Sequence, residues 1–156
     1  MPRRYKPAKR VPLPDPIYND VDVAKFINRL MTRGKKSVAE RIFYTALESL
    51  QSRIQEKPLE VFHKVLKKVK PLVRVKARRV GGSTYQVPME VREDEAVAIG
   101  SRWLIQYARK RNGRSMAEKL AAEMLDAYNG AGSTIKKREE MHKMAEANKA
   151  FAHYRF

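Results

Sequence analysis

The sequence predicts a mainly α fold: a single-domain bundle of about six helices, with one projecting β-hairpin between helices 3 and 4. Three observations predict it. Apolar residues recur at i, i+3, i+4 and i+7 through most of the chain, the period of an amphipathic helix. Over residues 72–91 the period switches to 2, which is that of a strand. A chain of 156 residues, 43% of them hydrophobic, can close one core without staples and is too apolar to be compositionally disordered.

The elements follow in order. Residues 1–18 form a basic, extended arm, because Pro2, Pro7, Pro12, Pro14 and Pro16 oppose a helix. A helical domain spans 19–152, with its hairpin at 72–91, and residues 153–156 form a C-terminal tail. Asn19 or Asp20 is the expected N-cap of the first helix. Its inward face is Val23, Phe26, Ile27, Leu30 and Met31, and Gly34 is its stop. Ser37-Val38-Ala39-Glu40 has the pattern of a capping box for the second helix. Ala39, Ile42, Phe43, Ala46, Leu47 and Leu50 line that helix's buried face. The third helix opens near Pro58, buries Leu59, Phe62, Val65, Leu66 and Val69, and ends at Pro71.

In the hairpin, Val73, Val75 and Ala77 alternate with Arg74, Lys76 and Arg78. After Gly81-Gly82, Tyr85, Val87, Met89 and Val91 alternate with Gln86, Pro88 and Glu90. Pro88 marks a position on an unpaired edge. The fourth helix opens on Glu93-Asp94-Glu95, at the positive end of its dipole. It buries Ala96, Gly100, Trp103, Leu104 and Tyr107 and ends in Arg109-Lys110-Arg111. The fifth has a capping box at Ser115-Met116-Ala117-Glu118 and buries Ala117, Leu120, Ala121, Met124 and Leu125. Gly130 and Gly132 break it. The sixth runs from near Ser133 to about Ala152, with Met141, Met144, Ala145, Asn148 and Ala152 on one face.

Charge bounds the function. Thirty-four Lys and Arg stand against 17 Asp and Glu, a net charge of +17. A domain this basic repels itself unless an anionic partner accompanies it, and a nucleic acid is the leading partner. An anionic membrane surface ranks behind it, and no apolar run reaches membrane-spanning length. The charged N-terminus is not followed by an apolar signal segment. Cysteine is absent, which removes disulfides and thiolate chemistry and fits a reducing compartment.

The cations cluster. Arg3, Arg4, Lys6, Lys9 and Arg10 occupy the arm. Lys64 to Arg79 holds eight basic residues and no acid, and strand alternation puts Arg74, Lys76 and Arg78 on one face. Neighbours on that face lie roughly 6.6 Å apart, near the spacing of phosphates along a strand. Arginine on a strand also presents a planar fork that suits phosphate. Lys35-Lys36, the segment Arg109, Lys110, Arg111 and Arg114, and Lys136-Lys137-Arg138 complete the candidate RNA-binding set, together with Arg79. Each cluster has a plainer reading, as edge protection or as charge at a helix C-terminus. The last lies in a helix's first turns, where an outside anion explains it better. Tyr85, Tyr154 and Phe156 could stack on bases, although Tyr85 is also in phase with Val87 and Met89 for packing.

Catalysis finds no support. Glu60-x-x-His63 and Glu139-x-x-His142 repeat a di-metal helical motif, but both glutamates fall opposite the apolar faces of their helices. Gly81-Gly82 precedes a strand rather than a helix, so it is a turn and not a phosphate loop. No enzyme, metal or cofactor is expected.

The hairpin run Lys76-Ala77-Arg78-Arg79-Val80-Gly81-Gly82-Ser83-Thr84-Tyr85-Gln86-Val87-Pro88 resembles the signature of the small ribosomal subunit protein seven family. The ending Met144-Ala145-Glu146-Ala147-Asn148-Lys149-Ala150-Phe151-Ala152-His153-Tyr154-Arg155-Phe156 is similar to that family's, as are Asp15-Pro16-Ile17-Tyr18 and Gly34-Lys35-Lys36-Ser37. The resemblance covers about residues 2–156. It implies a helical domain with a projecting ribbon that binds the 3′ major domain of small-subunit ribosomal RNA and nucleates assembly of the subunit head. It implies neighbouring head and platform proteins as partners, with exit-site transfer RNA and messenger RNA met transiently. By position, Arg78, Arg79, Gly81, Gly82 and Tyr85 would lie at or near the ribbon tip. His153, Tyr154 and Arg155 in the tail would join them near those two RNAs. The arm and Lys35-Lys36 would touch ribosomal RNA. The implied location is cytoplasmic, in the ribosome of a bacterium or of an organelle that encodes its own ribosomal proteins. Glu93-Asp94-Glu95 stands where many relatives are basic, so RNA contact is not carried over to that turn. Lys149 stands where arginine is common, which keeps the charge and loses a possible fork.

The alternative is a DNA-bending architectural protein with a basic β-ribbon. Such ribbons carry an apolar wedge at the tip, whereas the tip here is Gly81-Gly82-Ser83.

Overall fold

The computed structural model describes residues 12–154. The arm residues Arg3, Arg4, Lys6, Lys9 and Arg10, and Arg155 and Phe156 at the other end, lie outside the described residues. At Asp15 the chain is already folded onto the body. The Asp15 carboxylate is buried and accepts from the Ile17 and Tyr18 N–H groups at 3.2 and 3.1 Å and from the Tyr44 hydroxyl at 2.7 Å. An arm expected to run through residue 18 therefore gives way to a turn three residues earlier.

α1 (Val21–Leu30) begins where Asp20 accepts from the Asp22 and Val23 N–H groups at 2.7 and 2.9 Å, supplying partners to donors that the helix leaves orphaned. α2 (Lys36–Gln51) does not use the expected capping box. Its first residue is Lys36, its N-cap is Lys35, and no side chain caps it. Gly34, at φ +75°, turns the chain into the helix early enough that Ser37 falls inside the first turn, and Glu40 pairs with Lys36 at 3.6 Å instead. α3 (Pro58–Val69) has Pro58 in its first turn, where the missing N–H costs nothing. Phe26, Phe43 and Phe62, one from each of these helices, meet with ring centroids 5.2 to 5.3 Å apart and form the centre of the core.

α4 (Glu93–Lys110) buries Ala96, Gly100 and Leu104 as expected, but also Ser101, Ile105 and Ala108. Trp103 and Tyr107 are only half-buried. The buried stripe is wider and rotated from the expected one because α4 packs against α1, α3, α5 and α6 together. α5 (Met116–Tyr128) opens on Ser115, whose hydroxyl accepts from the Glu118 N–H at 3.2 Å. The Glu118 carboxylate accepts from the Arg114 N–H at 3.3 Å, one residue beyond the N-cap N–H that the standard box uses.

α6 (Gly132–Ala147) stops before the predicted Ala152. The Asn148 side chain donates to the Met144 carbonyl at 2.8 Å, and the chain tightens into a 3-10 helix, Lys149–Tyr154. Of the face expected for this helix, Ala145 is buried and Met144 is 44% exposed. The tail expected from residue 153 thus begins inside that 3-10 helix. No helix among the described residues is long and apolar enough to cross a membrane.

β1 (Val73–Val80) pairs antiparallel with β2 (Ser83–Glu90) around Gly81 and Gly82, at φ +57° and +88°. Two successive positive φ values are the requirement of a type I′ turn, which matches the twist of the strands it joins. The register sets Arg74 opposite Met89, Lys76 opposite Val87 and Arg78 opposite Tyr85. Opposed residues share a face, so the basic row and the apolar row lie side by side on one surface. A lone two-stranded ribbon is marginal in water. Here β1 packs on α6 and β2 on the 3-10 helix, and Val87 is fully buried.

Candidate nucleic-acid interface

Acids are unevenly spread. None occurs from residue 23 to 39, from 61 to 89, or from 96 to 117. The first and last of these stretches meet in the fold, because α1 packs against α4 and Arg109 Nη2 donates to the Leu30 carbonyl at 3.2 Å. Arg29, Arg33, Lys35 and Lys36 come from one side of the junction. Arg102, Arg109, Lys110 and Arg114 come from the other. Lys35, Arg109, Lys110 and Arg114 are all exposed. The sequence reading did not single out Arg29, Arg33 or Arg102. The signals that could have found them are the acid-free runs from 23 to 39, which holds Arg29 and Arg33, and from 96 to 117, which holds Arg102; both are counterparts of the one noted at Lys64–Arg79.

Other predicted residues are engaged inside the fold. Arg111 Nη1 lies 2.7 Å from Glu123 Oε2 and 2.6 Å from Asp126 Oδ2, so it fastens α4 to α5. Those two bonds push its pKa up. Arg74 pairs with Glu95 at the start of α4. Arg138 donates to the Lys68 carbonyl and stands 3.6 Å from Glu139, and Lys137 pairs with Glu140 at 3.1 Å. Lys136 is exposed.

On the ribbon, Lys76 and Arg79 are exposed and lie on opposite faces, and Arg78 is half-buried. Gly81 and Gly82 are exposed at the tip. Tyr85 packs against Phe151 and Tyr154, each with centroids 5.2 Å away, and His153 stacks beside Tyr154 at 4.0 Å. The ribbon and the chain's end therefore form one aromatic cluster near the tip, which the sequence could not place because it joins segments far apart in order.

The two Glu-x-x-His motifs do not converge. The Glu60 and Glu139 side chains are 58% and 53% exposed. His63 Nε2 lies 3.0 Å from Asp20 Oδ2, and His142 Nε2 accepts the Leu72 N–H at 3.1 Å. No group of His, Cys, Asp and Glu among the described residues is arranged to hold a metal.

The family model described as ribosomal protein S7p/S5e matches residues 2–149. The chain belongs to that family. The small ribosomal subunit protein uS7 of Thermosynechococcus vestitus is 58% identical over 156 residues, all of both chains. The uS7 proteins of Lawsonia intracellularis and Nitratidesulfovibrio vulgaris are 58% and 57% identical over the same full span. An S7p/S5e chain is a structural protein of the ribosome and not an enzyme. The DNA-bending alternative gains nothing from these relatives, and the ribbon tip offers no wedge.

Proposed function

We propose that the chain, as a structural component of the small ribosomal subunit, binds the 3′ major domain of the subunit's RNA through the basic face at the α1–α4 junction. In this reading it nucleates assembly of the head and neighbours other head and platform proteins. The junction of two acid-free segments carries the proposal. It gathers cations that have few acids to neutralise them, which is the electrostatic footprint of a phosphate-binding surface.

Lys35, Lys36, Arg109, Lys110 and Arg114 are assigned to ribosomal RNA, with Arg3, Arg4, Lys6, Lys9 and Arg10 of the arm. Lys76, Arg78, Arg79 and Lys136 extend that surface, while Arg74, Arg111, Lys137 and Arg138 serve it mainly by fixing the elements that carry it. Gly81, Gly82, Tyr85, His153, Tyr154 and Arg155 are assigned to the end that approaches exit-site transfer RNA and the messenger. The exposed glycine tip and the adjacent aromatic cluster support that assignment.

The test is equilibrium binding of the full chain to a 3′ major domain RNA fragment over a salt series, against an unrelated folded RNA and duplex DNA of equal length. Counterion release weakens all three, but shape recognition of the ribosomal fragment should survive at salt that abolishes the others. Parallel loss of all three would overturn the reading.

A further inference from the structure

Asp15 is buried, and both its backbone groups and both its carboxylate oxygens are engaged. Oδ2 accepts from the Ile17 and Tyr18 N–H groups, and Oδ1 accepts from the Tyr44 hydroxyl of α2 at 2.7 Å. The Asp15 N–H donates to the Asp20 carbonyl at 3.0 Å, and its carbonyl accepts from the Asn19 N–H at 2.8 Å. Asn19 takes φ +49° within that loop. Asp20 then caps α1 and stands 3.0 Å from His63 Nε2 of α3. Residues 15–20 are thus tied to three helices, and the tie to α2 runs through the Tyr44 hydroxyl. Burial, and then the bond to Asp15, push the Tyr44 pKa up, so that hydroxyl keeps its proton and stays a donor.

The residues before this knot transmit its direction. Pro12, Pro14 and Pro16 fix their own φ and bias Leu13 and Asp15 to extended backbone, so a change of angle at Asp15 is carried outward rather than absorbed. A cavity of about 380 Å³ lies between Pro12 and Pro14 on one side and Ala24 and Ile27 of α1 on the other, and Lys36 of α2 lines it too. The described chain therefore begins at the cavity that Lys36 borders. Arg3, Arg4, Lys6, Lys9 and Arg10 come just before it in sequence.

We propose that Asp15 and Tyr44 are positioning residues for RNA binding: their bond sets the direction in which the chain leaves the body, and so brings the arm's cations to the RNA together with Lys36. Neither side chain touches the RNA. The proposal rests on the reading of the chain as an RNA-binding protein, and it adds a geometric device to the charge. It also reverses a sign. Removing an acid from a strongly basic chain should tighten binding to a polyanion, because a repulsion is lost. Positioning requires that the same change weaken it.

The experiment uses Tyr44→Phe and Asp15→Ala, each made in the full chain and in an arm-neutral chain that carries Arg3→Gln, Arg4→Gln, Lys6→Gln, Lys9→Gln and Arg10→Gln together. Binding to the 3′ major domain fragment is measured across a salt series, well below each variant's thermal midpoint. In the full chain, Tyr44→Phe should weaken binding roughly threefold to tenfold, as the arm's effective concentration at the RNA falls. Asp15→Ala should weaken it at least as much, despite the lost negative charge. Both should flatten the salt slope toward that of the arm-neutral chain. In the arm-neutral chain, Tyr44→Phe should change nothing and Asp15→Ala should leave binding equal or slightly tighter. Tyr44→Phe keeps the ring and the net charge, so it carries the test if Asp15→Ala does not fold.

Equal losses with and without the arm's cations would sink the proposal, because the bond would then act through the body alone. Unchanged or tighter binding by both full-chain variants would sink it as well. If the unaltered chain shows no preference for the ribosomal fragment, the proposed function fails separately. The same comparison, read on whichever folded RNA the chain does bind, still decides whether Asp15 and Tyr44 direct the arm.

Discussion

The guanidinium of Arg111 closes on the buried carboxylate of Glu123, Nη1 to Oε2 at 2.7 Å. The other oxygen of Glu123 accepts from the Thr134 N–H and hydroxyl at 3.0 and 2.6 Å, so one carboxylate ties α4, α5 and α6 together. Glu123 is 1% exposed. Removing its cation strands a buried charge, the costly way to break such a pair. Arg111→Met should therefore cost about 3 kcal/mol in urea unfolding and leave the salt slope of RNA binding unchanged. A flattened slope with unaltered stability would instead make Arg111 a phosphate contact.

The Leu72 N–H donates to His142 Nε2 at 3.1 Å, at the root of the ribbon. Burial, and then the charge of Arg138, hold the His142 pKa below its usual value near 6.5, while Glu139 acts weakly the other way. The unfolded chain thus takes the proton more readily than the folded one. Stability from this group is fully present above about pH 6.5 and is lost as pH falls through the depressed folded value. The stability of the native chain relative to His142→Gln should accordingly decline between pH 7 and the acid side of that window. Paired melts at several pH values check this, and a difference independent of pH would refute it.

Gly82 adopts φ +88° in the ribbon turn. A β-branched side chain is strained there, so Gly82→Val should cost about 1–2 kcal/mol locally. Gly81→Asn should be close to neutral, because asparagine suits the first position of a type I′ turn. Amide exchange in β1 and β2 is the measurement, since the body can stay folded while the ribbon opens.

Tyr85 is the ribbon's contact with the 3-10 helix, through Phe151 and Tyr154. Tyr85→Ala should accelerate amide exchange over residues 149–154 by roughly tenfold, the scale of losing two aromatic pairs. Tyr85→Phe keeps the ring and should leave that exchange near its original rate.

Much of the fold was legible because its signals are local. The Asp20 cap, the Pro58 start and the period change at residue 73 each depend on neighbours in sequence. The capping box at Ser37 misled because Gly34 turns the chain so that the N-cap falls at Lys35, two residues sooner, a matter of backbone geometry that composition does not show. The end of α6 misled because a side-chain bond from Asn148 competes with the next helical turn. In the candidate site, the exposed clusters at Lys35 and Arg109 were readable, whereas the roles of Arg111 and Arg29 were not. The first depends on a carboxylate twelve residues later facing inward. The second depends on α1 and α4 lying side by side.

The pairing of β1 with β2 also limits how the ribbon can change over evolutionary time. Arg74, Lys76 and Arg78 share a surface with Met89, Val87 and Tyr85, so inserting or deleting one residue within either strand would reverse the outlook of everything beyond it. Val87 would turn out to water and Gln86 or Pro88 would take its place against the body. Viable length variants should therefore arise in steps of two residues matched across both strands, which move the glycine turn outward or inward while its orientation is kept.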